Sequence, residues 1–333
     1  MSTMTDSADP AKVSRSLGID FLRAVCILYI VGYWHLIPYT TALPGYANWF
    51  TEGLKYVALS TFVFCSGYLL GRARIQLDPS GLWSFYQRRL LRIYPLYLIA
   101  LVAFGLYGIA SWGQVRDGAL LTSMFTPPAM PTLWFITMIM VFYLVAPLLI
   151  RVADRALPTL LIGLLLASAL AAQHLWVRHI DIRIFMYLPV FVLGILYQRQ
   201  PSWRALAKRH RWALLTLALL LLPSSRFGNE WTLTGGLTII PLLLASATTA
   251  VLFADRLAAR LHAGTIGLLA YTSFGLYLVH RLIFKASIAV YFPTEGWNQV
   301  GYLLGVALPL SLAIGYGMQR GYDALATRWS QRP

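Results

Sequence analysis

The chain has 333 residues, of which 58% are hydrophobic and 12% charged, with a mean hydropathy of +0.64. That balance excludes an ordinary soluble domain, in which about a quarter of the residues are charged. The 27 Lys and Arg outnumber the 12 Asp and Glu for a net charge of +15, which in so apolar a chain points to anionic headgroups at one membrane face and away from nucleic acid.

Residues 1–17 are polar and lack the apolar core of a cleavable signal, so they predict a short tail ahead of an uncleaved anchor. Runs apolar enough to cross the hydrocarbon core then follow at 18–38, 53–71, 95–112, 132–150, 157–176, 183–198, 211–224, 237–254, 267–290 and 298–318. The sixth and seventh are short, so the total is about ten. The pattern predicts an all-α, polytopic membrane bundle: one domain over 18–318, flanked by the 1–17 tail and a basic tail over 319–333.

Within the first run, Asp20 and Arg23 lie near one end and Trp34-His35 near the other. An ionisable side chain inside a membrane span is a functional-site hypothesis by default, although Asp20 also stands one turn from Arg23 and suits simple neutralisation. The second run ends in Cys65-Ser66-Gly67-Tyr68, whose small residues suit close helix approach. Cys26 and Cys65 form no paired motif and read as packing residues. Next, Asp78-Pro79-Ser80-Gly81 reads as a turn. Residues 82–93 then separate apolar from basic faces as an interfacial helix does, placing Arg88, Arg89 and Arg92 at a membrane surface. Pro95 is expected to open the third span, where proline is tolerated. The fourth run carries Leu133-Trp134-Phe135, then Phe142-Tyr143-Leu144 and Pro147. The ninth carries Ser273-Phe274-Gly275-Leu276-Tyr277-Leu278-Val279-His280, with a second intramembrane histidine. His174, His179, His210 and His262 fall in or beside loops without metal-ligand spacing, so no metal is expected.

Basic residues gather after the even-numbered spans, at Arg72 and Arg74, Arg88, Arg89 and Arg92, Arg151 and Arg155, and Arg199 to Arg211, and sparsely on the other side. Since Lys and Arg accumulate in cytoplasmic loops, both termini are expected in the cytoplasm.

Histidine has the proton affinity of a general base near neutral pH, which makes His35 and His280 candidates for moving a proton. Ser66, Tyr68 and amides near Gly67 are candidate donors to an oxygen on which negative charge develops. The planar forks of Arg23, Arg89 and Arg92 suit the phosphates of a cytosolic ligand.

The patches from Ile19-Asp20-Phe21-Leu22-Arg23 to His35, Phe64 to Gly71, Phe85 to Tyr97, Leu133 to Pro147 and Ser273 to His280 together resemble, in order, the motifs of the acyltransferase-3 group of integral-membrane O-acyltransferases. The resemblance implies an enzyme that moves an acyl group, most simply acetyl with succinyl as the alternative, from acyl-CoA to a hydroxyl of an envelope or lipid-linked glycan. It also implies a bacterial inner membrane. It gives His35, Arg23, Ser66 and His280 to catalysis, and Arg23, Arg89 and Arg92 to the donor. Asp20, Gly67, Tyr68, Trp134, Tyr143 and Tyr277 are left in support.

Two departures stand out. The family places ten residues between the arginine and the histidine, whereas Arg23 and His35 here enclose eleven. On an ideal α-helix that spacing turns the two side chains about 120° apart, where ten would leave about 20°; a one-residue bulge in between would restore a shared face. Ile139 and Met140 also stand where many members carry acids, so no carboxylate is assigned there. The rival class is a transporter or flippase, for which an internal repeat would be the signature; none is visible.

Overall fold

A computed structural model describes residues 16–330. The predicted 1–17 tail falls almost wholly outside them. The described chain is helical, in the order α1 (Leu17–Tyr29), a π-helical turn (Ile30–Trp34), α2 (Trp49–Gly71), α3 (Pro79–Leu106), α4 (Trp112–Ala119), α5 (Trp134–Val152), α6 (Ala156–Ala172), α7 (Ile182–Arg199), α8 (Pro201–Arg209), α9 (Arg211–Leu221), α10 (Leu233–Ala258), α11 (Ala263–Val290), α12 (Gly296–Tyr302) and α13 (Leu308–Ser330). Among the described residues nine helical stretches are long and apolar enough to cross a bilayer. A backbone leaving water must pair its own N–H and C=O groups, which a helix does within one segment.

Contacts between helix ends sort the bundle into two ends. At one, Arg199 donates to the carbonyls of Gly71 and Ala73 and pairs with Asp154, Gly18 abuts Asp255, and Tyr271 donates to Asp323. At the other, Ser225 donates to Trp49 O, Thr41 to Gln299, and Asp181 N to Met124 O. The first end carries the basic segments, so "basic end" and "opposite end" serve below. Both ends of the described chain lie at the basic end, as an even number of crossings requires.

Three boundaries need adjustment. The seventh span, expected to be short at 211–224, runs two residues further: α9 stops at Leu221 and a 3-10 turn, Leu222–Arg226, completes the passage. Together they rise roughly 26 Å, and Ser225 at their far end reaches Trp49. The helix shortens at Pro223, inside that turn. Second, Pro95 does not open the third span, because α3 is continuous from Pro79 and holds Pro95 inside it. An interior proline strips the carbonyl four residues earlier of its helical donor; that carbonyl, Leu91 O, accepts instead from the Tyr322 hydroxyl of α13. The same span ends at Leu106 rather than 112, where Gly108 takes φ +62°, a left-handed stop that glycine adopts cheaply. Third, α13 carries the chain helically to Ser330, through most of the predicted 319–333 tail.

The core is densest where small residues let backbones touch. A Cβ on Gly67 of α2 would lie 2.2 Å from Phe191 O of α7, and one on Gly194 of α7 would lie 2.4 Å from Phe64 O. A Cβ on Gly275 of α11 would lie 2.2 Å from Gly315 O of α13. Packing of this kind replaces the hydrophobic drive that is absent between helices in lipid. The outer faces of α3 and α6 expose Ile99, Val102, Leu106, Leu157, Leu161, Leu164 and Leu165, surface that hydrocarbon solvates and water would not.

Candidate active site

The π-helical turn is what makes a site of the first span. His35 N donates to Ile30 O, five residues back, at 2.8 Å, so one extra residue is absorbed between Arg23 and His35. Twelve steps of chain then turn as eleven would, and both side chains face α11. Arg23 donates to Ser273 Oγ at 3.0 Å and His35 Nδ1 lies 2.9 Å from His280 Nε2. Ser273 and His280 are seven residues apart on α11, two turns on one face and about 10 Å of rise.

The histidine contacts fix where the protons sit. His280 Nδ1 lies 2.9 Å from Tyr277 O and 3.2 Å from Leu276 O. Carbonyls only accept, so in the neutral ring this nitrogen carries the hydrogen and Nε2 carries the lone pair. His35 Nδ1 must then donate to it, which leaves the lone pair of His35 on Nε2. The rings are parallel within 3°, and His280 is wholly buried, so the relay has little freedom to turn.

His35 borders a chamber of about 130 Å³ at the opposite end of the bundle, walled also by Ile30, Trp34, Lys55, Leu59, Trp134 and Tyr277 and by the charged Arg183 and Glu230. Trp134 lies beneath the Arg183 guanidinium at 3.9 Å. Tyr277 donates to Thr132 O, holding a β-branched residue at φ +64° two positions before Trp134. That conformation costs on the order of 1–3 kcal/mol and persists only where neighbours enforce it. Trp134 and Tyr277 thus shape the chamber.

A second group gathers toward the basic end. Tyr143 of α5 lies in electrostatic reach of Arg23, Arg89, Arg92 and Ser66, and Arg23 also pairs with Asp20 at 3.9 Å. Arg89 donates to Phe85 O and lies 3.6 Å over the Phe85 ring, while its buried Nε has no partner. Arg92 is exposed. Three guanidinium groups from two helices therefore converge on one region. Ser66 belongs to this group: it lies about 10 Å further along α2 than Leu59 of the chamber wall, and its hydroxyl donates to Phe62 O. Tyr68 lies beside Tyr197 under the Arg72 guanidinium. Gly67 is the contact point with α7. Cys26 and Cys65 are buried and unpaired.

Lys55, Arg183 and Glu230 were not among the residues predicted from sequence. Lys55 and Arg183 fall inside the predicted spans 53–71 and 183–198, and an ionisable residue at such a position is the signal that marks them. Glu230 lies in a loop and carried no such mark.

The fold and these two groups define a polytopic helical membrane protein with a buried histidine relay at one end and an arginine cluster toward the other. A model of the acyltransferase domain of the acyltransferase-3 family matches residues 16–318, nearly the whole chain. The chain belongs to that family, and the protein is a membrane acyltransferase transferring groups other than aminoacyl groups. No curated protein and no solved structure matches it significantly.

Proposed function

We propose that the enzyme moves an acetyl group from cytosolic acetyl-CoA to a hydroxyl of an envelope or exported glycan at a bacterial inner membrane, with His35 as general base. The observation that carries the reading is the His35–His280–carbonyl relay, which leaves a lone pair on His35 Nε2 in a ring bordering an internal chamber.

The acceptor hydroxyl gives its proton to His35 Nε2 as its oxygen attacks the thioester carbonyl carbon. The positive charge that forms on His35 is shared through its Nδ1–H with His280 Nε2, whose own Nδ1–H is held by main-chain carbonyls. Collapse of the tetrahedral intermediate breaks the C–S bond, and the imidazolium returns the proton to the departing thiolate. Atoms and protons balance without a metal.

Arg23, Arg89 and Arg92 are the candidates for the donor's phosphates, since planar forks match phosphate oxygens. With the basic end in the cytoplasm, the nucleotide sits among them and its pantetheine arm runs along the α1–α11 seam toward His35. Ser66 and Tyr143, within the arginine group, suit hydrogen bonds along that arm.

Membranes carrying the wild type, His35→Ala or Arg89→Ala, supplied with radiolabelled acetyl-CoA and extracted envelope glycan, test this. Label should reach the glycan in the wild type and fail to do so in both variants at equal expression. Full transfer by His35→Ala would remove the base assignment. Preferential use of labelled succinyl-CoA by the wild type would replace the acyl group.

A further inference from the structure

Two buried ion pairs stand in or beside the chamber wall next to His35, and nothing in the donor half of the reaction uses them. Lys55 Nζ donates to Glu230 Oε2 at 3.1 Å and to Glu52 at 3.3 Å. Arg183 forks onto Asp181 at 2.8 and 2.5 Å while stacked on Trp134. Lys55, Glu230, Asp181 and Arg183 are all at most 8% exposed. Desolvation consumes most of the attraction in such pairs, and well-packed apolar residues often do as well or better. Stability therefore does not account for them, and ionisable groups at membrane depth point to a ligand.

The charge pattern says which kind. Both cations of the wall already hold carboxylates, Lys55 two and Arg183 one, so an anionic ligand finds no free cation there, and a carboxylate-bearing group would have to displace Glu230 from Lys55. Hydrogen-bonding capacity is left over: one N–H of Lys55, the Nη1 amino group of Arg183, and Oε1 of Glu230. Donors and an acceptor side by side suit hydroxyl groups, each of which both donates and accepts. The volume, about 130 Å³, compares with the roughly 150 Å³ that accepts one benzene, and so admits one edge of a sugar ring at a time.

We propose that Lys55, Arg183 and Glu230 form the acceptor subsite, and that it takes an uncharged pyranose edge with two neighbouring hydroxyls. One hydroxyl meets His35 Nε2; its neighbour donates to Glu230 and accepts from Lys55 or Arg183. This rests on His35 being the base of acyl transfer.

The test separates acceptor use from thioester chemistry in full-length protein in membranes. Labelled acetyl-CoA is supplied with methyl hexopyranosides, with the matching methyl hexuronides, or with water as the sole acceptor; labelled glycoside and free acetate are counted. Glu230→Gln should lower transfer to the neutral glycoside roughly ten- to a hundredfold, chiefly by raising the acceptor concentration for half-saturation, while acetate release stays within about twofold. Glu230→Asp should recover part of the loss. The double variant Lys55→Gln/Glu230→Gln, which removes the buried pair together and leaves only the partly exposed Glu52 without its cation, should show the same acceptor defect, and so guards against misfolding of the single variant.

Equal loss of acetate release and glycoside transfer in both variants, unchanged acceptor saturation, a preference for the hexuronide, or a wild type that releases acetate through His35 yet acylates no neutral glycoside would each overturn the subsite. If His35→Ala releases acetate and acylates glycoside like the wild type, the base assignment itself fails, whatever Glu230 does.

Discussion

At the scale of single residues the proposed chemistry turns on which nitrogen of His35 holds a proton, and the carbonyls of α11 that hold His280 Nδ1 set that choice. On the proposed role of His35 as general base, His35→Ala should lower the rate of transfer by about 10²- to 10⁴-fold, read as label transferred per enzyme at saturating donor. His280→Phe keeps an aromatic ring, slightly larger than imidazole, and removes the acceptor for His35 Nδ1–H. The ring of His35 can then flip or take the other tautomer, and the rate should fall roughly ten- to a hundredfold, as for other orienting partners of histidine. A loss in kcat with little change in donor KM is expected; a rise in KM alone would make His280 a packing residue. The two histidines were legible in the sequence as intramembrane ionisable groups, but their contact was not. Nothing in a separation of 245 positions says which helix faces which.

Among elements, the π-helical turn is the decisive one, because it converts an awkward spacing into a shared face. Deleting Gly32 should let α1 continue as an ordinary α-helix with ten residues between Arg23 and His35, within about 20° of one another, and activity should be retained. Inserting one alanine at the same place turns His35 about 100° further and should abolish transfer. Equal outcomes for the two changes, at matched expression, would remove the turn from the account. The α2–α7 seam makes a second prediction. With Phe191 O where the new methyl must go, Gly67→Ala forces the backbones apart. It should cost about 1–3 kcal/mol, seen as a lower thermal midpoint in detergent, whereas Ser66→Ala should leave that midpoint close to the wild type. The bulge was foreseeable as a condition on the spacing, since a helix of 3.6 residues per turn cannot otherwise align positions twelve apart. Pro95 misled the boundary of α3: the missing N–H reads as a helix start, and only the tertiary donor Tyr322 lets the helix run through it.

For the whole molecule, the asymmetry of charge predicts the orientation, and with it the sides from which the proposed donor and acceptor enter. With the basic end in the cytoplasm, a cysteine at the exposed Ser202 of α8 should react with an impermeant maleimide only after the membrane is opened. One at the exposed Thr294, between α11 and α12, should react in intact cells. The native Cys26 and Cys65 are buried and should stay silent. The reverse pattern would invert the donor and acceptor sides. What the sequence by itself determined was the solvent, the all-helical class, the approximate number of crossings and the candidate histidines and arginines. Hydropathy, charge and motif order are local along the chain and need no fold to be read. What only the tertiary structure decided was the partnership of His35 with His280 and the gathering of Arg23, Arg89 and Arg92 around Tyr143. It also decided the company of Lys55, Arg183 and Glu230 at the chamber, none of them among the candidates read from the sequence. Those groups come from six helices and a loop, and the packing of small residues such as Gly67 and Gly275 brings the helices close enough for side chains so far apart in the chain to share one site.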